Sequence, residues 1–177
     1  MNISETVRLQ VRQRANFSCE FCSVTETDAG GELTIDHFRP QSRGGADNLD
    51  NLFYCCQRCN QYKADYWPTQ VDESILWNPR QEAFASHLLT LADGTLYPIT
   101  PTGAFTVRQL RLNRPPLVAH RLRKHHQGEE QRLLERYRDL VTVLEQLQAQ
   151  QAVLLEEQRT LLEEQRALLR LLVKPQE

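Results

Sequence analysis

The sequence lacks what would place it in or beyond a membrane. No run of eighteen apolar residues occurs in it, so no segment reads as a membrane-spanning helix. The first residues, MNISETVRLQVRQR, hold no apolar stretch of signal-peptide length, and the chain is expected to be cytoplasmic. It also lacks excess charge. A formal net charge of -2 over 177 residues gives no global sign of a nucleic-acid binder, so any basic surface must be local. Cysteine is sparse, at five, yet four of the five fall into two Cys-x-x-Cys pairs. In a reducing compartment clustered cysteines favour a metal over disulfides.

Those pairs are Cys19 with Cys22 and Cys56 with Cys59, separated by 33 residues. Two such knuckles suit tetrahedral thiolate coordination of zinc, because each tight turn brings two sulfurs to one ion. Four protein ligands leave no open position, so the zinc is expected to be structural. It would pin both ends of the intervening segment and lend its binding free energy to folding. Cys55 is left over and reads as a small buried hydrophobe.

Between the pairs lies Thr34 to Lys63, TIDHFRPQSRGGADNLDNLFYCCQRCNQYK, on which the rest of the chain is organised. Leu33 to Ile35 read as a short strand delivering Asp36 and His37 at its end. Pro40 and Gly44-Gly45 enforce a loop, and Leu49, Leu52 and Phe53 are expected to pack. From Cys56 the run QRCNQYKADY reads as the first turns of a helix closed off by Pro68. Upstream, Val7, Leu9, Val11 and Ala15 alternate weakly with Arg8, Arg12 and Arg14; those arginines read as a solvated helix face before they read as phosphate contacts.

The middle segment is one-sided in charge. From residue 94 to 128 there is no acidic residue, while Arg108, Arg111, Arg114, Arg121, Arg123 and Lys124 fall inside that interval. Contact with a DNA backbone is the favoured reading; a basic helix neutralised by the acidic one downstream is the alternative. His87 to Leu91 and Thr95 to Ile99 flank Ala92-Asp93-Gly94 as a small hairpin. A short helix is expected over Thr106 to Leu112, and Asn113-Arg114-Pro115 begins another. His87, His120, His125 and His126 have no ligand spacing.

The last third repeats in sevens. Leucines stand at 133, 140, 147, 154, 161 and 168, and adjacent stretches read LLEEQRT and LLEEQRA. Leu134, Val141, Leu155, Leu162 and Leu169 widen the apolar stripe, whereas Gln151, Gln158 and Gln165 make a poor two-helix seam. A helix from Glu129 to Val173 would be about 67 Å long at 1.5 Å per residue, and Pro175 marks its end. So wide a stripe needs a partner. A coiled coil joining copies of this chain is the first expectation, another protein the second.

The pattern DH, GG, NL, C-x-x-C-N-x-x-K, over roughly residues 8 to 66, resembles the HNH endonuclease family in its zinc-framed bacterial form. The resemblance implies an α+β fold in which two strands and a helix form a ββα-metal unit. It implies His37 as general base, with a group on its other nitrogen fixing the tautomer, and Asn51 holding the loop. It implies Asp36 and Asn60 as ligands of a catalytic ion. The family often has His where this chain has Asn60, and an all-oxygen pair suits Mg²⁺ or Mn²⁺. Lys63, Arg39 and Arg43 would meet phosphates.

The expected organisation is therefore a nuclease domain at 1–70, an accessory segment at 71–126 and an oligomerisation helix at 127–177. The expected activity is metal-dependent hydrolysis of DNA. A non-catalytic zinc-framed nucleic-acid-binding or assembly subunit is the alternative.

Overall fold

A computed structural model describes residues 3–70 and 72–172, with side chains through Arg170. Contacts divide the chain into one compact unit, Met1–His125, and a second, His126–Glu177. The first unit is α+β, with two small antiparallel hairpins and short helices; a long helix runs to Leu172.

Helix α1 (Glu5–Arg14) starts where the Ser4 hydroxyl accepts from Val7 N–H, and it buries Val11. Helix α2 (Glu26–Ala29) is a single turn held by a reciprocal Thr25–Asp28 capping box. Strands β1 (Thr34–His37) and β2 (Leu52–Cys55) pair with Thr34 opposite Cys55, Ile35 opposite Tyr54, Asp36 opposite Phe53 and His37 opposite Leu52. Opposed residues share a face, and successive residues alternate. Leu52 and Tyr54 join Ile3, Val11 and the flank of Ile35 beneath α1, while Phe53 and Cys55 enter the larger core. Leu49, expected to pack, is exposed on the loop before β2, where its carbonyl accepts from Arg14 at 2.6 Å.

Helix α3 (Gln57–Lys63) follows directly. It stops five residues short of Pro68 because Ala64 turns to φ 50°. Strands β3 (Leu88–Thr90) and β4 (Leu96–Pro98) form the second hairpin, its turn closed by Asp93 Oδ1 on Thr95 and by Gly94 at φ 78°. Helix α4 is Pro101–Gln109 rather than Thr106 to Leu112. Thr100 caps it, Pro101 fits its first position, and Gly103 lets it close on the His87 carbonyl, which a Cβ there would approach to 2.3 Å.

One hydrophobic cluster joins Phe21, Phe38 and Phe53 to Leu76, Trp77, Leu88, Leu96, Leu110 and Leu117, on both sides of residue 70. Helix α5 (Pro115–Leu172) begins at Pro115 as expected; the end expected at Pro175 lies outside the described residues. In the second unit Leu133, Leu140, Leu147, Leu154, Leu161 and Leu168 are all about half exposed. Among the described residues no helix is long and apolar enough to cross a membrane.

Candidate active site

The four paired cysteines converge. Their sulfurs lie within 4.8 Å of one another and all four residues are buried. The Cys22–Cys56 separation is 3.7 Å. Zinc–sulfur bonds of about 2.3 Å set a tetrahedral edge of about 3.8 Å, so the donor set fits zinc in chemistry and in size.

Local structure explains the approach. After Cys19 the chain turns tightly, with Ser23 N–H on the Cys19 carbonyl and Ser23 at φ 61°. Cys56 is the cap of α3 and its sulfur accepts from Cys59 N–H at 3.5 Å. Without a cation the four thiols divide. Hydrogen bonds from their neighbours draw Cys19 and Cys56 down, and hydrogen bonds to those two push Cys22 and Cys59 up. A dication removes that conflict and lets all four ionise. Cys55 stays outside the cluster, fully buried, with its thiol pushed well up by burial first.

Within this frame α3 lies against β1. Thr34 and Asp36 share one face of the strand, and Asn60 Nδ2 donates to Thr34 Oγ1 at 3.4 Å, leaving its amide oxygen free of that bond. Asp36 Oδ2 is buried and accepts no hydrogen bond, although Lys63 Nζ sits 2.9 Å away as an ion pair. Carboxylate and amide oxygens are the donor types that suit a hard cation. Lys63 is not where a phosphate can reach it. The residue is 1% exposed and neutralises Asp36 from inside the fold.

His37 ends β1 on the opposite face, beside Leu52. Its ring is buried, with Nε2 2.5 Å from Asp47 Oδ1, and Gln41 Nε2 donates to the same oxygen at 2.7 Å. Among the described residues no hydrogen bond or ion pair joins His37 to Asp36 or Asn60. The strand therefore turns Thr34 and Asp36 toward the α3 residues Asn60 and Lys63 and holds His37 on its other face.

Asn51 ties the loop between them. Its Oδ1 accepts from Arg39 N–H at 2.8 Å, and its Nδ2 donates to the carbonyls of Arg39 and Ala46 at 3.0 and 2.9 Å. Gly45 threads through this clasp: a Cβ there would lie 1.8 Å from the Arg39 carbonyl oxygen.

The cations sort into two groups. Arg114 lies 4.0 Å from Cys59 Sγ, stacks over Tyr62 and donates to the Leu110 carbonyl. Arg121 donates to the carbonyls of Gly94 and Leu112 at 2.6 and 2.8 Å. Both serve the fold rather than an open surface. So do the N-terminal arginines: Arg12 pairs with Glu26 and Glu32, and Arg14 holds the carbonyls of Leu49 and Leu52. Arg43, Arg108, Arg111, Arg123 and Lys124 are exposed, as is Arg39. Arg39 rests over Trp67, Arg108 over Phe105 and Arg111 over Tyr62, each guanidinium 4.9 to 5.6 Å from the ring centre. Lys124 Nζ also reaches the Ser23 carbonyl at 3.4 Å.

The residues that sequence reasoning missed are Asp47 and Gln41. Asp47 is a loop residue of a common turn-forming type, Gln41 opens a single 3-10 turn, and nothing local singles out Asp47 as the partner of a histidine ten positions away or Gln41 as the partner of Asp47.

Residues 19–76 match the HNH endonuclease family model. No curated protein and no solved structure matches the chain. The match covers both cysteine pairs, β1, β2 and α3. Residues 19–76 are thus similar to an HNH endonuclease domain, and the four cysteines clustered there fit a zinc-framed form of it.

Proposed function

We propose that this chain is a metal-dependent endonuclease that hydrolyses DNA phosphodiester bonds to leave 5′-phosphate and 3′-hydroxyl ends. The observation that carries the reading is the family match over a segment in which Asn60 of α3 donates to Thr34, two residues before Asp36 on the same strand face, beside a cluster of four cysteine sulfurs. Structural zinc at Cys19, Cys22, Cys56 and Cys59 would lock α3 to the first knuckle. Asp36 and Asn60 would hold Mg²⁺ or Mn²⁺, which when bound supplies stabilisation of negative charge on the phosphoryl oxygens. His37 acts as general base toward the attacking water. Asn51 keeps the loop closed so that the imidazole has one position. Lys63 pairs with Asp36 from inside the fold and orients it. The exposed Arg39, Arg43, Arg108, Arg111, Arg123 and Lys124 meet phosphates.

In this proposal residues 1–70 carry the chemistry, 71–126 extend the binding surface and 127–177 associate copies of the chain. One site cuts one strand, and association brings two sites to a duplex. The test is nicking of supercoiled plasmid with Mg²⁺ or Mn²⁺, DNA and RNA being digested side by side. Loss of nicking in His37→Ala, with zinc retained, supports the mechanism; unchanged nicking removes it.

A second reading has its own observation. Lys63 already neutralises Asp36, and His37 is 2% exposed. A zinc-framed nucleic-acid-binding subunit without turnover would need neither group open. It predicts salt-dependent DNA binding with no metal-dependent products.

A further inference from the structure

We propose that Asp47 is a positioning residue for His37, and that it makes Nδ1 the nitrogen that takes the proton. The inference rests on the reading of His37 as the general base. An ionised carboxylate only accepts, so the 2.5 Å contact between Asp47 Oδ1 and His37 Nε2 requires the hydrogen on Nε2. The neutral ring then carries its lone pair on Nδ1. Among the described residues Nδ1 has no hydrogen-bond partner, and it is absent from the enclosed unpaired atoms, which are Arg14 Nε, Asp36 Oδ2 and Arg80 Nε. It is a basic atom without a protein partner among the described residues.

Asp47 is itself held in place. Gln41 Nε2 donates to the same Oδ1 at 2.7 Å, and Asn51 fixes the neighbouring Ala46 carbonyl at 2.9 Å. Gly45 N–H bonds the Pro40 carbonyl at 3.0 Å, closing the turn on which Gln41 and Asp47 face each other. The loop thus delivers one carboxylate to one ring nitrogen. The ring of His37 is 3% exposed, against 51% for the Asp47 side chain, so the acid is wet on its outer side and dry toward the imidazole.

Asp47→Asn changes little in shape but offers an amide N–H where a carboxylate accepted. The amide satisfies itself by donating to Nε2, which moves the ring hydrogen to Nδ1 and removes the base. A wrong tautomer of this kind costs about 10⁴-fold in kcat in a buried hydrolase triad. Because water reaches the outer side of Asp47, the expected loss here is smaller, about 10²-fold, with KM within about twofold.

The experiment uses the full chain with ¹⁵N-labelled histidine, His37 being assigned by loss of its signals in His37→Gln. Long-range ¹H–¹⁵N correlation at pH 8 is expected to show the Nε2–H tautomer in the unsubstituted protein and the Nδ1–H tautomer in Asp47→Asn. A ring protonated on Nδ1, or on both nitrogens, in the unsubstituted protein overturns the proposal. So does an unshifted tautomer in a zinc-loaded Asp47→Asn protein. The unsubstituted protein decides the tautomer even where the variant does not fold. Plasmid nicking separates the two readings. If the unsubstituted protein does not nick, the nuclease reading fails while the spectra still judge Asp47. If it nicks and Asp47→Asn keeps its kcat, Asp47 is no positioning residue.

Discussion

Substituting Gly45 by alanine is a perturbation whose consequence can be worked from distances. The added Cβ would sit 1.8 Å from the Arg39 carbonyl oxygen, 2.7 Å from its carbon and 2.9 Å from Asn51 Nδ2. Ordinary contact is about 3.5 Å, so the two sides of this loop must separate by about 1.7 Å. The two nearest atoms are backbone, and the third, Asn51 Nδ2, is a side-chain end already held by two hydrogen bonds. A shift of that size breaks the Asn51 Nδ2 bonds to Arg39 and Ala46, at 3.0 and 2.9 Å, and the Gly45 to Pro40 bond at 3.0 Å. At about 1 kcal/mol net each, the three sum to about 3 kcal/mol. The loss falls on the loop that carries Asp47, while the cysteines lie outside it. Thermal unfolding followed by tryptophan emission suits the test, because Trp67 lies under Arg39 at the base of the loop. The expected outcome is a lower transition and altered Trp67 emission with full zinc content. A Gly45→Ala protein within 0.5 kcal/mol of its parent (roughly the noise of a neutral surface change), with nicking intact, would refute the clasp.

Stripping metal with a strong chelator, or Cys56→Ser, should unfold the first unit, since structural zinc supplies about 10 kcal/mol or more of folding free energy in small domains; near-ultraviolet circular dichroism checks this, and an unchanged spectrum speaks against a structural ion. Arg12, chiefly through its hydrogen bond, holds the Glu26 carboxyl below the usual 4.5. Its contribution is therefore present above that value and is lost as pH falls through the depressed pKa. Compared with Glu26→Gln, the unsubstituted protein should lose its advantage between neutral pH and acid; an advantage that grows on acidification would reverse the sign. Charged residues at Leu154 and Leu161, both more than half exposed, should convert an associated protein to single chains by light scattering. A mass of one chain before substitution would dismiss the helix as an association device.

The parts of this fold that can be read from the chain are those whose cause is local. The knuckles announce themselves by spacing, the β3–β4 turn by Asp93-Gly94, and the start of α5 by Pro115. That Asp36 lies at the end of a strand and Asn60 in a helix is legible from the strand and helix signals around them. Local signals mislead where packing intervenes. Gly103 breaks a helical pattern on paper, yet in α4 it permits contact with the His87 carbonyl. Lys63 and Arg114 look like phosphate ligands because each is a basic residue near a motif; their partners, Asp36 and Cys59, stand 27 and 55 positions away. Asp47 was invisible for the same reason. A hydrogen bond across a loop leaves no trace in residue spacing.

The most direct measurement is the conversion of supercoiled plasmid to nicked circles by the full-length protein with added Mg²⁺ or Mn²⁺, beside His37→Ala of equal zinc content. The account predicts metal-dependent nicking that falls by at least about 10²-fold in the variant. Equal nicking by both proteins, or none by either with DNA still bound, would contradict it.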